Sequence, residues 1–191
     1  MATGTRDAIL EVAARLFMQQ GYTATSMRQI AEGTGIGKAT IYHHFPDKRA
    51  IALALFESRM ARAQEFVAAV EAETDPRRRI ELAVEQSLRF VFESAELMSM
   101  VRREVPEGWA QVRAQSTPFM RKLMALLAEA LRQGAEQGAF RSIDPAAGAR
   151  VLMAMVQGSF ALTHVGVERA PAPEKAARVL LDVFFNGVAS R

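Results

Sequence analysis

Lys38, Thr40, Tyr42 and His43 lie within six residues of one another, and Arg28 stands ten residues ahead of Lys38. Together they offer an ammonium, a guanidinium, a hydroxyl, a phenol and an imidazole. They form no nucleophile–base pair. On the exposed side of a helix, such donors, acceptors and an aromatic face suit the base edges and phosphates of a DNA major groove. Lys48 adds a cation just after Pro46-Asp47. There the free N–H groups of a new helix already favour an anion, and phosphate is the candidate.

These side chains need a rigid carrier, and Thr25 to Lys48 supplies one. Thr25 is expected to cap a first helix, its hydroxyl accepting from a free backbone N–H. Met27, Ile30 and Ala31 then share a face at helical spacing. Gly33 and Gly35 bracket Thr34, and Gly35 can take the positive φ of a sharp inter-helix turn. Ile36 and Ile41 point back toward the first helix. Lys38, Thr40 and His43 fall on the other side of the second, with Tyr42 beside them. A small residue (Ala31), a turn glycine and an aliphatic lock (Ile41) are the parts of a helix-turn-helix. The helix from about Gly37 to His44 is the one expected in the major groove, where Ala39 suits a thymine methyl. Asp47 is expected to cap the helix that follows.

This stretch resembles the DNA-binding module of the TetR family (TetR/AcrR type) of bacterial transcriptional regulators. The likeness rests on Thr40-Ile41-Tyr42-His43-His44-Phe45 followed by Asp47-Lys48, on the helix before them and on the chain length. It covers about the first 55 residues closely; beyond that it rests on element order. Arg49 departs from it, standing where the family often has an acidic residue. The resemblance implies that Thr25, Tyr42, His44 and Lys48 fix the DNA backbone. It implies that Lys38, Ala39, Thr40 and His43, with Arg28, read base edges, on a helix begun at Gly37. His44 is as well suited to capping or packing, and Tyr42 to packing its ring.

The whole chain has 191 residues, half of them hydrophobic and 24% charged. That allows one large or two small domains with a real core and argues against disorder. Net charge is only +3; residues 1–50 hold six Lys/Arg and four Asp/Glu. DNA binding therefore depends on placed charges, since there is no basic tail. The absence of cysteine excludes disulfides and thiolate metal sites. The early charges Arg6, Asp7 and Glu11 argue against a signal peptide. No uncharged apolar run approaches the ~18 residues of a membrane span. A cytoplasmic protein is the default.

In chain order, Thr5 is expected to cap a first helix striped by Ile9, Val12, Ala13, Leu16 and Phe17 and ended by Gly21. Its core partners should be Ile30, Ile41 and Phe45. A long linking helix is expected from about 47 to 73, spanning roughly 40 Å. Asp75-Pro76 restarts the chain. Arg77-Arg78-Arg79 reads as a solvated first turn rather than a nucleic-acid patch. Ala95 to Glu104 reads as a short helix broken by Pro106-Glu107-Gly108. Ser116-Thr117-Pro118 is expected to start another, ending near Gly138. Asp144-Pro145 caps a helix that is apolar nearly all round and ends at Gly166. The last helix runs from Pro173 to about Ala189 and is apolar on more than one face.

The expected architecture is all-α. Residues 1–50 form a three-helix helix-turn-helix DNA-binding domain, and 51–191 a larger helical ligand-binding and dimerisation domain. Two late helices apolar on several faces point to a homodimer through them, which the resemblance implies as well. The resemblance also implies a small-molecule effector. Met98, Trp109, Phe119, Met120, Met153 and Phe160 are soft or aromatic enough to line its pocket. Gln157 and His164 are the polar groups to orient it. Any one of these is more commonly plain core. The adjacent His43-His44 pair cannot chelate well, so no metal site is expected, nor any cofactor or catalytic group. The function expected is a ligand-responsive DNA-binding transcriptional regulator, a repressor on palindromic double-stranded DNA released by an apolar or aromatic molecule. The alternative is an apolar-ligand carrier or helical interaction module without sequence-specific DNA binding.

Overall fold

A computed structural model describes residues 4–164 and 171–188, apart from the side chains at 95, 96, 160, 162–164, 187 and 188. Eight helices occupy the described residues: α1 Thr5–Gln20, α2 Met27–Thr34, α3 Lys38–His44, α4 Lys48–Ala72, α5 Pro76–Glu104, α6 Pro106–Glu136, α7 Pro145–His164 and α8 Pro173–Val188. The expected ends at Gly166 and Ala189 lie outside the described residues. No described helix is long and apolar enough to cross a membrane.

The chain divides into two compact units. The first takes the chain as far as Ala61 and adds Ala95–Gln115; the second holds Arg62–Ser94 and the chain from Ser116. In the first unit the stripe of α1 is buried at Ile9, Val12, Ala13 and Phe17, as are its expected partners Ile30, Ile41 and Phe45. Gly33 is there because α1 comes close: a Cβ on it would sit 2.7 Å from Val12. The second unit has its own core from α4, α5, α6, α7 and α8, centred on residues such as Val70, Leu88, Leu127, Leu152 and Phe184.

Several helix ends differ from expectation. Gly4, not Thr5, precedes α1, and no side chain caps it. Asp47 does cap α4, accepting from Ala50 N at 2.7 Å, and Asp75 caps α5, accepting from Arg78 N at 2.7 Å. Asp144 accepts from Ala146 N ahead of Pro145. Ala95 to Glu104 is not a separate helix. Nothing between Pro76 and Glu104 can break one, and α5 runs through. Pro118 lies inside α6 rather than opening it. A mid-helix proline loses one hydrogen bond and crowds the preceding turn. Packing before it outweighs that cost: Val112 is buried, and a Cβ on Gly108 would lie 2.7 Å from Leu53.

Arg77-Arg78-Arg79 is only partly the solvated turn expected. Arg77 and Arg78 pair with Glu81 at 3.2 Å. Arg79, however, is buried, donating to the Glu73 carbonyl at 2.7 Å and to Gln133 Oε1 at 3.3 Å. Burying the stem of an arginine is tolerable once its head has such acceptors.

At the C-terminus of α6, Gly138 turns the chain at φ 73° and Phe140 folds back on Gly134. A Cβ on Gly134 would sit 2.1 Å from the Phe140 ring, which stacks on Phe185 at 5.7 Å. Gly134→Ala must displace that ring. It is expected to lower stability by about 1–3 kcal/mol, read as a drop in Tm by circular dichroism. An unchanged Tm would mean the ring moves freely.

Candidate nucleic-acid interface

The position of α3 is set by the turn that precedes it. Ser26, not Thr25, caps α2. Its hydroxyl accepts from Gln29 N at 3.2 Å, while Gln29 Oε1 accepts from Ser26 N at 2.8 Å. This reciprocal capping box satisfies two otherwise free donors. The S-x-x-Q spacing was the sequence signal for it. At the other end Gly35 adopts φ 71°, Ile36 N donates to Ala31 O and Gly35 N donates to Glu32 O, both at 3.2 Å. That double bond pattern is a Schellman closure and needs the left-handed glycine. Gly37 then precedes α3.

Ile41 is wholly buried on α3. The helical period then turns its neighbours outward. Lys38, Ala39, Thr40, Tyr42 and His43 are exposed, and His44 is half-buried with its ring 5.6 Å from that of His43. Arg28 is 81% exposed on α2, 3.4 Å from Glu32. An exposed ion pair of this kind is weak enough to exchange for another anion.

Thr25 and Lys48 are placed differently. Thr25 is buried; its hydroxyl donates to Gly21 O at 2.7 Å and accepts from Gln20 Nε2 at 3.1 Å. Lys48 Nζ donates to the carbonyls of Tyr22, Thr25 and Thr23 at 2.5, 2.6 and 3.3 Å. It also lies 4.3 Å from the centre of the Tyr22 ring. Its three protons are thus all directed to the α1–α2 loop. Burial pulls this ammonium below the usual lysine range, against the opposing charge of Glu104.

Glu104, unremarked in the sequence, completes the arrangement from the end of α5. Its Oε2 accepts from Thr23 N at 3.0 Å and Thr23 Oγ1 at 2.7 Å. A glutamate in the last turn of a helix, against the dipole, was the available signal. The Thr23 bonds, chiefly the hydroxyl, hold its carboxyl below the usual carboxylate range.

Of the eight pocket candidates, Phe119 and Met120 pack on the same core as Met153. Met98 and Trp109 are half-buried in the first unit, and Phe119 and Met120 half-buried in the second. Met153 is core and Gln157 is exposed. The side chains of Phe160 and His164 lie outside the described ones. A groove of about 610 Å³ on the second unit, lined by residues such as Arg77, Arg89, Glu174 and Asp182, includes none of the eight. No group of three His, Asp or Glu among the described residues could hold a metal ion.

A carboxylate lowered by native bonds stabilises the fold above its unfolded pKa, and that gain is lost as pH falls through the lower folded value. Glu104→Gln is therefore expected to lower Tm at pH 7. The gap to wild type should close as pH drops through the acidic carboxylate range. A pH-independent gap would deny the charge any part.

Residues 9–55 match the family model described as bacterial regulatory proteins, tetR family, and residues 73–161 the tetracyclin repressor-like C-terminal domain. An HTH-type transcriptional repressor, AcnR of Corynebacterium glutamicum, is 42% identical over 65 residues, 34% of this chain and 35% of that one. The chain thus spans about a third of that relative's length. A putative transcriptional regulator from Saccharomonospora viridis, solved with choline, is 26% identical with a TM-score of 0.78, covering 97% of this chain and 98% of that one. AibR, solved with isovaleryl coenzyme A and operator DNA, is 26% identical with a TM-score of 0.67, covering 94% and 97%. With both halves of the family pattern matched on an all-helical fold, the chain belongs to the TetR family of bacterial transcriptional regulators, which are not enzymes.

Proposed function

We propose that this chain is a cytoplasmic, ligand-responsive repressor that binds a palindromic operator as a homodimer and is released by a small apolar or aromatic molecule. The observation that carries the reading is α3. It buries Ile41 completely and leaves Lys38, Ala39, Thr40, Tyr42 and His43 outward, behind a turn closed at Gly35. With Gly37 opening the helix, these residues and Arg28 read the groove. Tyr42 and His44 fix the DNA backbone. Thr25 and Lys48 do so by holding the loop before α2. The 1–50 segment is the reading head, and 51–191 binds ligand and dimerises.

Dimerisation through α7 and α8 is supported by Val151, Val179 and Val183, each more than half exposed. Exposed aliphatics on two terminal helices are what a self-complementary interface would cover. Operator DNA bound to AibR, and choline bound to the Saccharomonospora viridis regulator, support the two kinds of partner. Release follows as a population shift: effector favours a state whose two reading heads are wrongly spaced, and the coupling is reciprocal.

The test is selection of binding sites from random double-stranded DNA at physiological salt with competitor. A recovered twofold-symmetric sequence bound at one dimer per site is the expected result. Sequence-indifferent binding that fades with salt would instead favour an apolar-ligand carrier. On the selected site, Lys48→Met is expected to weaken binding without changing the slope of log K against log salt, because its charge is spent on carbonyls. A slope flatter by about 1 per subunit would put the ammonium on a phosphate.

A further inference from the structure

Two hydroxyls in the second unit stand without partners. Ser87 and Ser94 are 3% and 1% exposed, and no described group lies within hydrogen-bonding reach of either Oγ. Both sit in α5, where alanine would be the better helix residue. A buried hydroxyl left unpaired is costly. A bound molecule would remove that cost at both places.

Their surroundings say what the molecule is. Ser87, Phe90, Val91 and Ser94 follow at three- and four-residue spacing and so share one face of α5. The Phe90 ring meets Phe66 of α4 at 6.4 Å and Phe119 of α6 at 5.9 Å, and those two meet edge-to-face at 5.5 Å. All three rings are only half-buried. Met120 and Met124, also partly buried, pack on the same core. Methionines of this kind yield to an incoming shape. Among the described residues of this unit, Arg79 is the one buried charged side chain, and its guanidinium is already given to Glu73 O and Gln133. An ionised ligand would find no unspent buried counter-charge among them.

Resting on the regulator reading above, we infer that the effector is an elongated, uncharged molecule. Its apolar or aromatic middle parts the Phe66, Phe90 and Phe119 rings. Its two ends carry hydrogen-bonding oxygens or nitrogens for Ser87 and Ser94. Seven residues of helix separate these hydroxyls by about 10 Å, which sets the spacing of the polar ends.

The probe is biphenyl with a para-hydroxyl on each ring, titrated into the full-length protein by calorimetry. The comparison compounds are biphenyl with one hydroxyl and with a para-carboxylate on each ring. The diphenol is expected to bind and the mono-ol to bind more weakly. The dicarboxylate should stay unbound where the diphenol saturates. Ser87→Ala and Ser94→Ala should each weaken the diphenol about three- to tenfold, while melting at or above the wild-type temperature. Failure of the diphenol to bind, equal binding of the dicarboxylate, or affinity unmoved by both substitutions overturns the site. Operator binding by the unliganded protein is measured alongside. Its loss would count against the regulator reading, whereas an intact operator complex without diphenol binding counts against this site alone.

Discussion

One ammonium gathers three backbone carbonyls between α1 and α2. The bonds to Tyr22 and Thr25 are part-buried, where a carbonyl short of donors is costly. Lys48 reaches back from the first turn of α4 and donates to Tyr22, Thr23 and Thr25. Tyr22 lies against Phe17 at 5.2 Å, and Thr25 closes on Gly21. The capping box at Ser26 begins immediately afterwards. The start of α2 is therefore located by α4. Through the Gly35 closure, so is the start of α3. A reading helix of seven residues has little stability of its own; its position is borrowed from this chain of bonds.

The same loop is held from the far side by Glu104. A carboxylate at a helix C-terminus opposes the dipole, and it persists here because Thr23 supplies both a hydroxyl and an amide. The α1–α2 loop is thus tied to two helices, α4 and α5, that also contribute to the second unit. Neither is interrupted by glycine or proline. α6 does carry a proline, Pro118, two residues into its share of that unit. Helices of this length act as levers only when something at the other end differs between states.

The helix-turn-helix was legible because every local signal agreed: the stripe of α1, the glycine turn, the buried Ile41 and the aspartate at position 47. The error of one residue at the cap arose because Thr25 and Ser26 are both good caps. Only the Gln29 that follows Ser26 at the right distance separates them. The merged α5 and α6 were harder. Proline at 118 is a breaker by local rule, and the packing of Val112 and Gly108 that overrules it is tertiary. The bonds of Lys48 and Glu104 join positions 25 and 81 residues apart, and no periodicity reports them. Arg79 looks like its two neighbours in sequence and differs from them only in what lies beneath it. The pocket candidates could not be told from plain core for a similar reason. Softness and aromaticity are shared by core and ligand sites, whereas an unpaired buried hydroxyl is a property of the packed chain.

An effector can move the DNA-binding equilibrium only by as much as its affinity differs between the two states. A tenfold change in operator affinity needs about 1.4 kcal/mol of coupling, and a near-complete switch about 5.5. Hydrogen bonds to two serines are of the smaller order and would be made in any state that holds the ligand. The larger share must come from apolar surface that one state closes and the other opens. Phe66 is suited to this, because it belongs to the helix that begins at Lys48 and its ring packs on one from α5 and one from α6. Parting those rings would act on the parts of α4 and α5 that lie in the second unit. On the inferred site, ligand identity would be read by hydroxyls, and the larger difference between states would come from aromatic packing.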